Sequence, residues 1–250
     1  MKWILTLWLT LIIVGCSNTR IHEPAEISLI SSDTILFDGS ITQQNVAVFE
    51  ELLNAHLQQV STIVIKSVGG DVLSGIYIGE LIYSHQLKVV IRGVCASSCA
   101  NYVATASSNV TVEEGAVLGW HGGSLQSLYG GFKHDWFDSL FTDEESMKEY
   151  LVEWQLKERD FFEKVDVDQS LTVLGMVPGL KEKRNTMLYS FDTQTLNLLG
   201  TSIKYVGEQN RFDVEGNEVL QVFQLSPQQL QVMLKNHSLR LAQARVYGAN

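Results

Sequence analysis

Three short stretches constrain this chain more than anything else in it: Lys66-Ser67-Val68-Gly69-Gly70-Asp71, Gly93-Val94-Cys95-Ala96-Ser97-Ser98-Cys99-Ala100 and Leu118-Gly119-Trp120-His121-Gly122-Gly123. They supply, in order, a glycine turn, a serine and a histidine. Each lies where an apolar run gives way to another pattern. That placement gathers three polar devices at the ends of neighbouring strands, where open α/β sheets build their sites.

The runs themselves predict the sheet. Thr34 to Phe37, Thr62 to Ile65, Lys88 to Ile91, Val110 to Val112 and Ala116 to Trp120 read as strands. Thr42 to Gln59, Val72 to Ser84 and about Ser97 to Ala106 carry helical spacing between them. Ile63-Val64-Ile65 and Val89-Val90-Ile91 are apolar throughout, as parallel strands covered on both faces are. The fold class is therefore α/β: a mostly parallel sheet built from βαβ units, with helices on both faces and a C-terminal helix. With 250 residues, 45% hydrophobic and 18% charged, the chain has enough apolar material for one sizeable domain.

Residues 1–15 read as a leader, since a basic start precedes a short apolar stretch from Trp3 to Val14 that is too short to span a bilayer comfortably. The stretch ends in Val14-Gly15-Cys16-Ser17, which resembles the lipobox of bacterial lipoproteins and implies a lipidated Cys16 at the mature terminus. The competing reading is a signal-anchor helix with an incidental cysteine. Ser17, rather than an aspartate, resembles the outer-membrane sorting pattern, so the expected location is the bacterial cell envelope, anchored by lipid and facing the periplasm. Residues 16–32 read as a polar tether, 33–207 as the domain, and 208–250 as a C-terminal hairpin and helix extension, with Ser226-Pro227 opening the last helix. A formal net charge of −10 offers nothing to nucleic acid.

Beyond the histidine, Gly122 to Asp138 is glycine-rich and aromatic and reads as a flap over the site. Thr142-Asp143-Glu144-Glu145 has the form of a capping box for a long amphipathic helix through Trp154, Phe161 and Phe162, whose acidic face reads as a solvated surface.

A serine hydroxyl needs a base within hydrogen-bond reach and donors for the oxyanion it creates. Ser97, at a strand-to-helix turn, is the candidate nucleophile, and His121 the candidate general base, titrating near pH 6.5 if unperturbed. The amides of Gly70 and Ser98 are the candidate oxyanion hole. Taken singly, such residues are more often punctuation, a helix cap and a structural histidine. Their order and spacing give the outline of a serine hydrolase, which requires neither a metal nor a cofactor.

The segment from Ile35 to Gly200 resembles the proteolytic subunit of the Clp protease and, more broadly, the ClpP/crotonase superfamily. Ser67-Val68-Gly69-Gly70 matches the family's Ser-Pro-Gly-Gly element, with valine in place of proline. Gly93-Val94-Cys95-Ala96-Ser97 matches its Gly-x-Ala-Ser turn, and His121 stands at the position of its histidine. The resemblance implies a βαβ superhelix, a homo-oligomer, and hydrolysis of a peptide or protein substrate. The family's aspartate has no clean counterpart: Val177-Pro178-Gly179 lie nearest its register, flanked by Asp166, Asp168 and Glu182. Glu182 is the expected third member, and a displaced carboxylate, a Ser/His dyad and a silent site stay open.

Cys95 and Cys99 bracket Ser97, and an exported compartment permits them to pair. Two buried thiols, or a zinc site with His121, are the competing readings. Three functions follow: a lipid-anchored periplasmic serine peptidase, a catalytically silent relative that binds peptides or scaffolds envelope partners, and acyl-CoA chemistry, which the export signal disfavours.

Overall fold

The computed structural model of the chain describes residues 25–130, 143–207, 213–214 and 217–247. The leader, Cys16, the first part of the tether, and Phe132, Trp136 and Phe137 of the expected flap lie outside the described residues.

The element order is β1 (Glu26–Ser31), β2 (Thr34–Asp38), α1 (Gln43–Ala55), β3 (Thr62–Ser67), α2 (Val72–Ser84), β4 (Lys88–Ala96), β5 (Val110–Val112), β6 (Val117–Gly119), α3 (Glu144–Val165), β7 (Leu188–Phe191), α4 (Thr193–Leu198), β8 (Ile203–Tyr205), β9 (Asp213–Val214), β10 (Asn217–Glu218), β11 (Leu220–Phe223) and α5 (Pro227–Tyr247). The main sheet runs β1-β2-β3-β4-β5-β8, with β6 also on β4, and every pairing but β1 with β2 is parallel. A second parallel pair joins β11 to β7. This is the α/β architecture, with a mostly parallel sheet and a C-terminal helix, that the sequence predicts.

Consecutive residues Ile63, Val64 and Ile65 of β3 are all buried, so both faces of the sheet are covered there. Strand β4 changes partner along its length. Val89 to Ile91 pair with β5, and Val94 to Ala96 pair with β6, with Gly93 between them at φ +69°. The end of β4 is thus aimed at β6 and at the histidine that follows it. Helix α2 comes close to the turn after β4 through two glycines one turn apart. A Cβ on Gly75 would stand 2.8 Å from the Ser98 Cβ, and one on Gly79 2.6 Å from the Tyr102 carbonyl.

Four expectations need correction. Residues 26–31 are not tether: they form an antiparallel edge strand on β2, with Ile27 and Leu29 packed on the core. The segment 208–250 has the expected hairpin, β9 with β10, and helix, but it is not separate from the domain: β11 pairs with β7, and Phe223, Leu225 and Leu230 are buried in the common core. The helix expected from Ser97 is a π-helical turn over Cys99–Val103, since Ser97 has φ +58° and helical dihedrals begin only after it. The cap of α3 is Asp143, which accepts from the Ser146 amide.

Candidate active site

Ser97 is half-buried and sits directly after β4 in the left-handed region, a conformation that costs a non-glycine residue about 1–3 kcal/mol. Such a strained strand-to-helix turn is how a nucleophilic serine is lifted clear of a sheet. A disulfide between Cys95 and Cys99, Cα atoms 5.3 Å apart, closes the turn around it. Both thiols are consumed, so the zinc reading falls.

The glycine turn lies against this serine. Ile41 accepts from the Asp71 amide and donates to the Gly69 carbonyl, both at 2.9 Å, which fixes the backbone around Gly70. In an extended segment alternate amides face opposite ways, so the Gly70 N–H stands on the side away from Ile41. Among the described residues neither the Gly70 amide nor the Ser98 amide donates to a protein acceptor. The Ser98 hydroxyl donates to the Gly70 carbonyl at 3.3 Å and ties the two turns together. Asp71 caps α2 by accepting from the Ser74 amide at 2.7 Å.

His121 reaches the same edge by register. Ala96 pairs with Gly119 in the last step of the β4–β6 ladder, so the chain leaves both strands at the same end, into Ser97 on one side and Trp120 and His121 on the other. Trp120 exchanges two 2.8 Å hydrogen bonds with Tyr189, which pins the residue before the histidine. The Asn101 side chain donates to the Gly122 carbonyl at 2.9 Å and pins the residue after it. His121 itself is exposed.

The segment Ser124–Tyr129 is a packed 3-10 turn rather than an open flap, with Ser124, Leu125 and Tyr129 buried. Beneath it lies a buried carboxylate the sequence reading missed. Glu158 of α3 accepts from the Ser124 amide (2.9 Å), the Ser124 hydroxyl, the Gln169 side chain (2.9 Å) and the Tyr102 hydroxyl (2.8 Å). Burial pushes its carboxyl above the usual carboxylate range, and the bonds from Ser124, Gln169 and Tyr102 pull partly back. The Tyr102 hydroxyl is raised well above its ordinary value by burial, then by the Glu158 charge. One signal was available: Glu158 falls one turn after Trp154 on the same stripe as Phe161 and Phe162, on the apolar face of α3 rather than the solvated one.

Of the flanking acids, Glu182 is exposed on the 3-10 turn Lys181–Lys183 and accepts from the Gly179 amide at 2.5 Å. That bond is the main cause of its lowered pKa. Asp166 ends α3 in the left-handed conformation, and Asp168 caps the turn Gln169–Thr172.

No family model matches the chain, and no curated protein does. In structure it is similar to a variant of ClpP1 from Listeria monocytogenes, at 16% identity and a TM-score of 0.47, covering 71% of this chain and 93% of that one. It is also similar to a variant of the membrane-bound stomatin-specific protease 1510-N, at 14% identity and a TM-score of 0.41, covering 77% of this chain and 95% of that one.

Proposed function

We propose that this chain is a serine peptidase, held by a lipidated Cys16 at the periplasmic face of the bacterial cell envelope. The observation that carries the catalytic part is Ser97 in the left-handed conformation beside two amides, Gly70 and Ser98, that have no protein acceptor among the described residues. Ser97 Oγ attacks the substrate carbonyl and His121 takes its proton. The two amides hold the oxyanion, and His121 then protonates the leaving amine. Water repeats the sequence on the acyl-enzyme. The amides are positioned before substrate arrives, one by Ile41 and one by the disulfide-closed turn, and losing one such donor costs on the order of 100-fold in rate.

A serine-directed phosphonate should label the purified protein, and Ser97→Ala should abolish both labelling and peptide cleavage. Wild-type protein that neither labels nor cleaves any peptide or ester would instead support the silent peptide-binding or scaffolding reading. That second reading is favoured by Glu182, whose carboxylate is engaged by Gly179.

The anchor rests on Val14-Gly15-Cys16. Labelled palmitate should enter the wild type and not Cys16→Ser. Assembly into a homo-oligomer belongs to the same reading. It is supported by Val152 and Leu156, exposed one turn apart on α3, and light scattering of the lipid-free protein tests it.

A further inference from the structure

We infer that Glu158 is a positioning residue for His121, holding from inside the protein the backbone that presents the histidine to Ser97. This rests on the serine-peptidase reading above.

His121 is followed by Gly122 and Gly123, two residues with no side chain to restrict the backbone. A histidine that must meet a serine to within a few tenths of an ångström therefore depends on fixed points on either side. Upstream, Trp120 is fixed by Tyr189. Downstream there are two fixed points. Asn101, four residues after the candidate nucleophile, donates to the Gly122 carbonyl, and Glu158 accepts from both the amide and the hydroxyl of Ser124. Gly123 is confined between them. A Cβ there would come within 2.9 Å of Glu158 Oε1, so the loop lies directly on the carboxylate.

The carboxylate is chemically suited to this and an amide is not. Every group around Glu158 is a donor: Ser124 N–H, Ser124 O–H and Gln169 N–H on Oε2, and Tyr102 O–H on Oε1. Tyr102 is itself committed, because its oxygen accepts from Trp154 Nε1 at 2.7 Å. A glutamine in place of Glu158 sets its NH2 either against the Ser124 donors or against the Tyr102 proton. Only a group that accepts at both atoms satisfies the cluster. The same cluster joins α3, the turn at Gln169 and the helical turn after Ser97, so the histidine loop is referenced to the element that carries the nucleophile.

The test compares wild type, Glu158→Gln and Ser124→Ala in the full chain. Turnover is normalised to sites titrated by the phosphonate, and amide hydrogen exchange is followed at Gly123, Ser124 and core strand β3. In Glu158→Gln, exchange at Gly123 and Ser124 should rise at least about tenfold while β3 stays protected. The normalised kcat should fall by roughly 10- to 100-fold with KM little changed, as expected when a catalytic group is displaced by about an ångström. Ser124→Ala, which keeps the amide bond and loses the hydroxyl bond, should show the same pattern several-fold weaker, and it decides the matter if Glu158→Gln does not fold. Wild-type exchange at Ser124, or wild-type normalised kcat, in a folded Glu158→Gln overturns the inference. If wild type itself does not react with the phosphonate, the peptidase reading fails, and with it the role for Glu158 in turnover. The exchange arm then still shows whether the carboxylate holds the loop.

Discussion

A Cβ placed on Gly69 would lie 2.7 Å from the Cβ of Ser97, so the glycine turn after β3 is the surface against which the candidate nucleophile is seated. The same phantom atom would stand 2.7 Å from the Ala96 carbonyl and 3.0 Å from the Ser98 nitrogen. Ser97, its left-handed backbone and one candidate oxyanion donor thus all crowd a residue that has no side chain.

Gly69→Ala is therefore expected to abolish function while leaving most of the fold. Gly69 has φ +94°, which alanine adopts only with strain, and the new methyl group displaces backbone, which cannot swing aside as a side chain would. Phosphonate labelling at Ser97 should slow by roughly 100-fold or more, the loss that follows a displacement of about an ångström. Equal labelling rates in wild type and a folded Gly69→Ala would show that Ser97 does not react from the seat described here.

The Cys95–Cys99 bond should matter more to rate than to stability. Closing a five-residue loop contributes only about 2 kcal/mol through the unfolded chain, because loop entropy grows slowly with length. What it encloses is Ser97 in a conformation disfavoured by about 1–3 kcal/mol, so the open form can relax that residue out of its turn. Reduction, or the Cys95→Ser/Cys99→Ser double variant, should lower the labelling rate at least tenfold while moving Tm by only a few degrees. A large fall in Tm with unchanged labelling would reverse this ranking.

The sequence made the parallel strands legible because Ile63-Val64-Ile65 and Val89-Val90-Ile91 are apolar without alternation. It offered Ser97 and His121 as candidates because each follows an apolar strand. The disulfide was expected because Cys95 and Cys99 are the only cysteines besides Cys16 and an exported compartment would let them pair, with two buried thiols and a zinc site as the competing readings. Glu158 was not read, because a glutamate among Glu144, Glu145, Glu149 and Glu153 looks like surface until the facing residues are known. Its partners, Tyr102, Ser124 and Gln169, come from three separate segments. The edge strand at Glu26–Ser31 was missed for a different reason. It offers only Ile27 and Leu29 as core-facing signal, and the exposed Ile30 breaks the alternation that would mark a strand with one face in solvent.

Glu182 gives a sharp test of whether a third carboxylate contributes. It accepts from the Gly179 amide through one oxygen, and as a third member it would have to orient His121 when substrate is bound. Glu182→Gln should then lower kcat by at least an order of magnitude, as loss of a triad carboxylate does. Asp168→Asn, whose Oδ1 still accepts from the Ser170 amide and which loses only a charge, should cost little activity. Unchanged turnover in Glu182→Gln beside a large loss in Asp168→Asn would move the role to Asp168; unchanged turnover in both would leave a Ser97/His121 dyad.

The C-terminal helix is expected to make the fold acid-sensitive through His237. Its ring is buried, its Nδ1 lies 2.6 Å from the Tyr129 hydroxyl, and the two rings stack with centroids 5.8 Å apart. Arg240 also stands over the Tyr129 ring, 5.0 Å from its centre, and donates to the Leu128 carbonyl, while Lys181 donates to the Tyr129 carbonyl. Burial lowers the His237 pKa below its ordinary 6.5; Asp168 pulls it up and Arg240 pushes it down. A base whose folded pKa is depressed binds more protons when unfolded. Its contribution is therefore complete above about pH 6.5 and is lost as the pH falls through the folded value. Between pH 7.5 and 5, Tm of wild type should fall more steeply than that of His237→Gln, and amides of α5 should lose protection before those of β3. Because His237→Gln removes the titrating group, the difference in slope rather than in absolute Tm carries the result. Parallel slopes would assign the acid sensitivity to other groups.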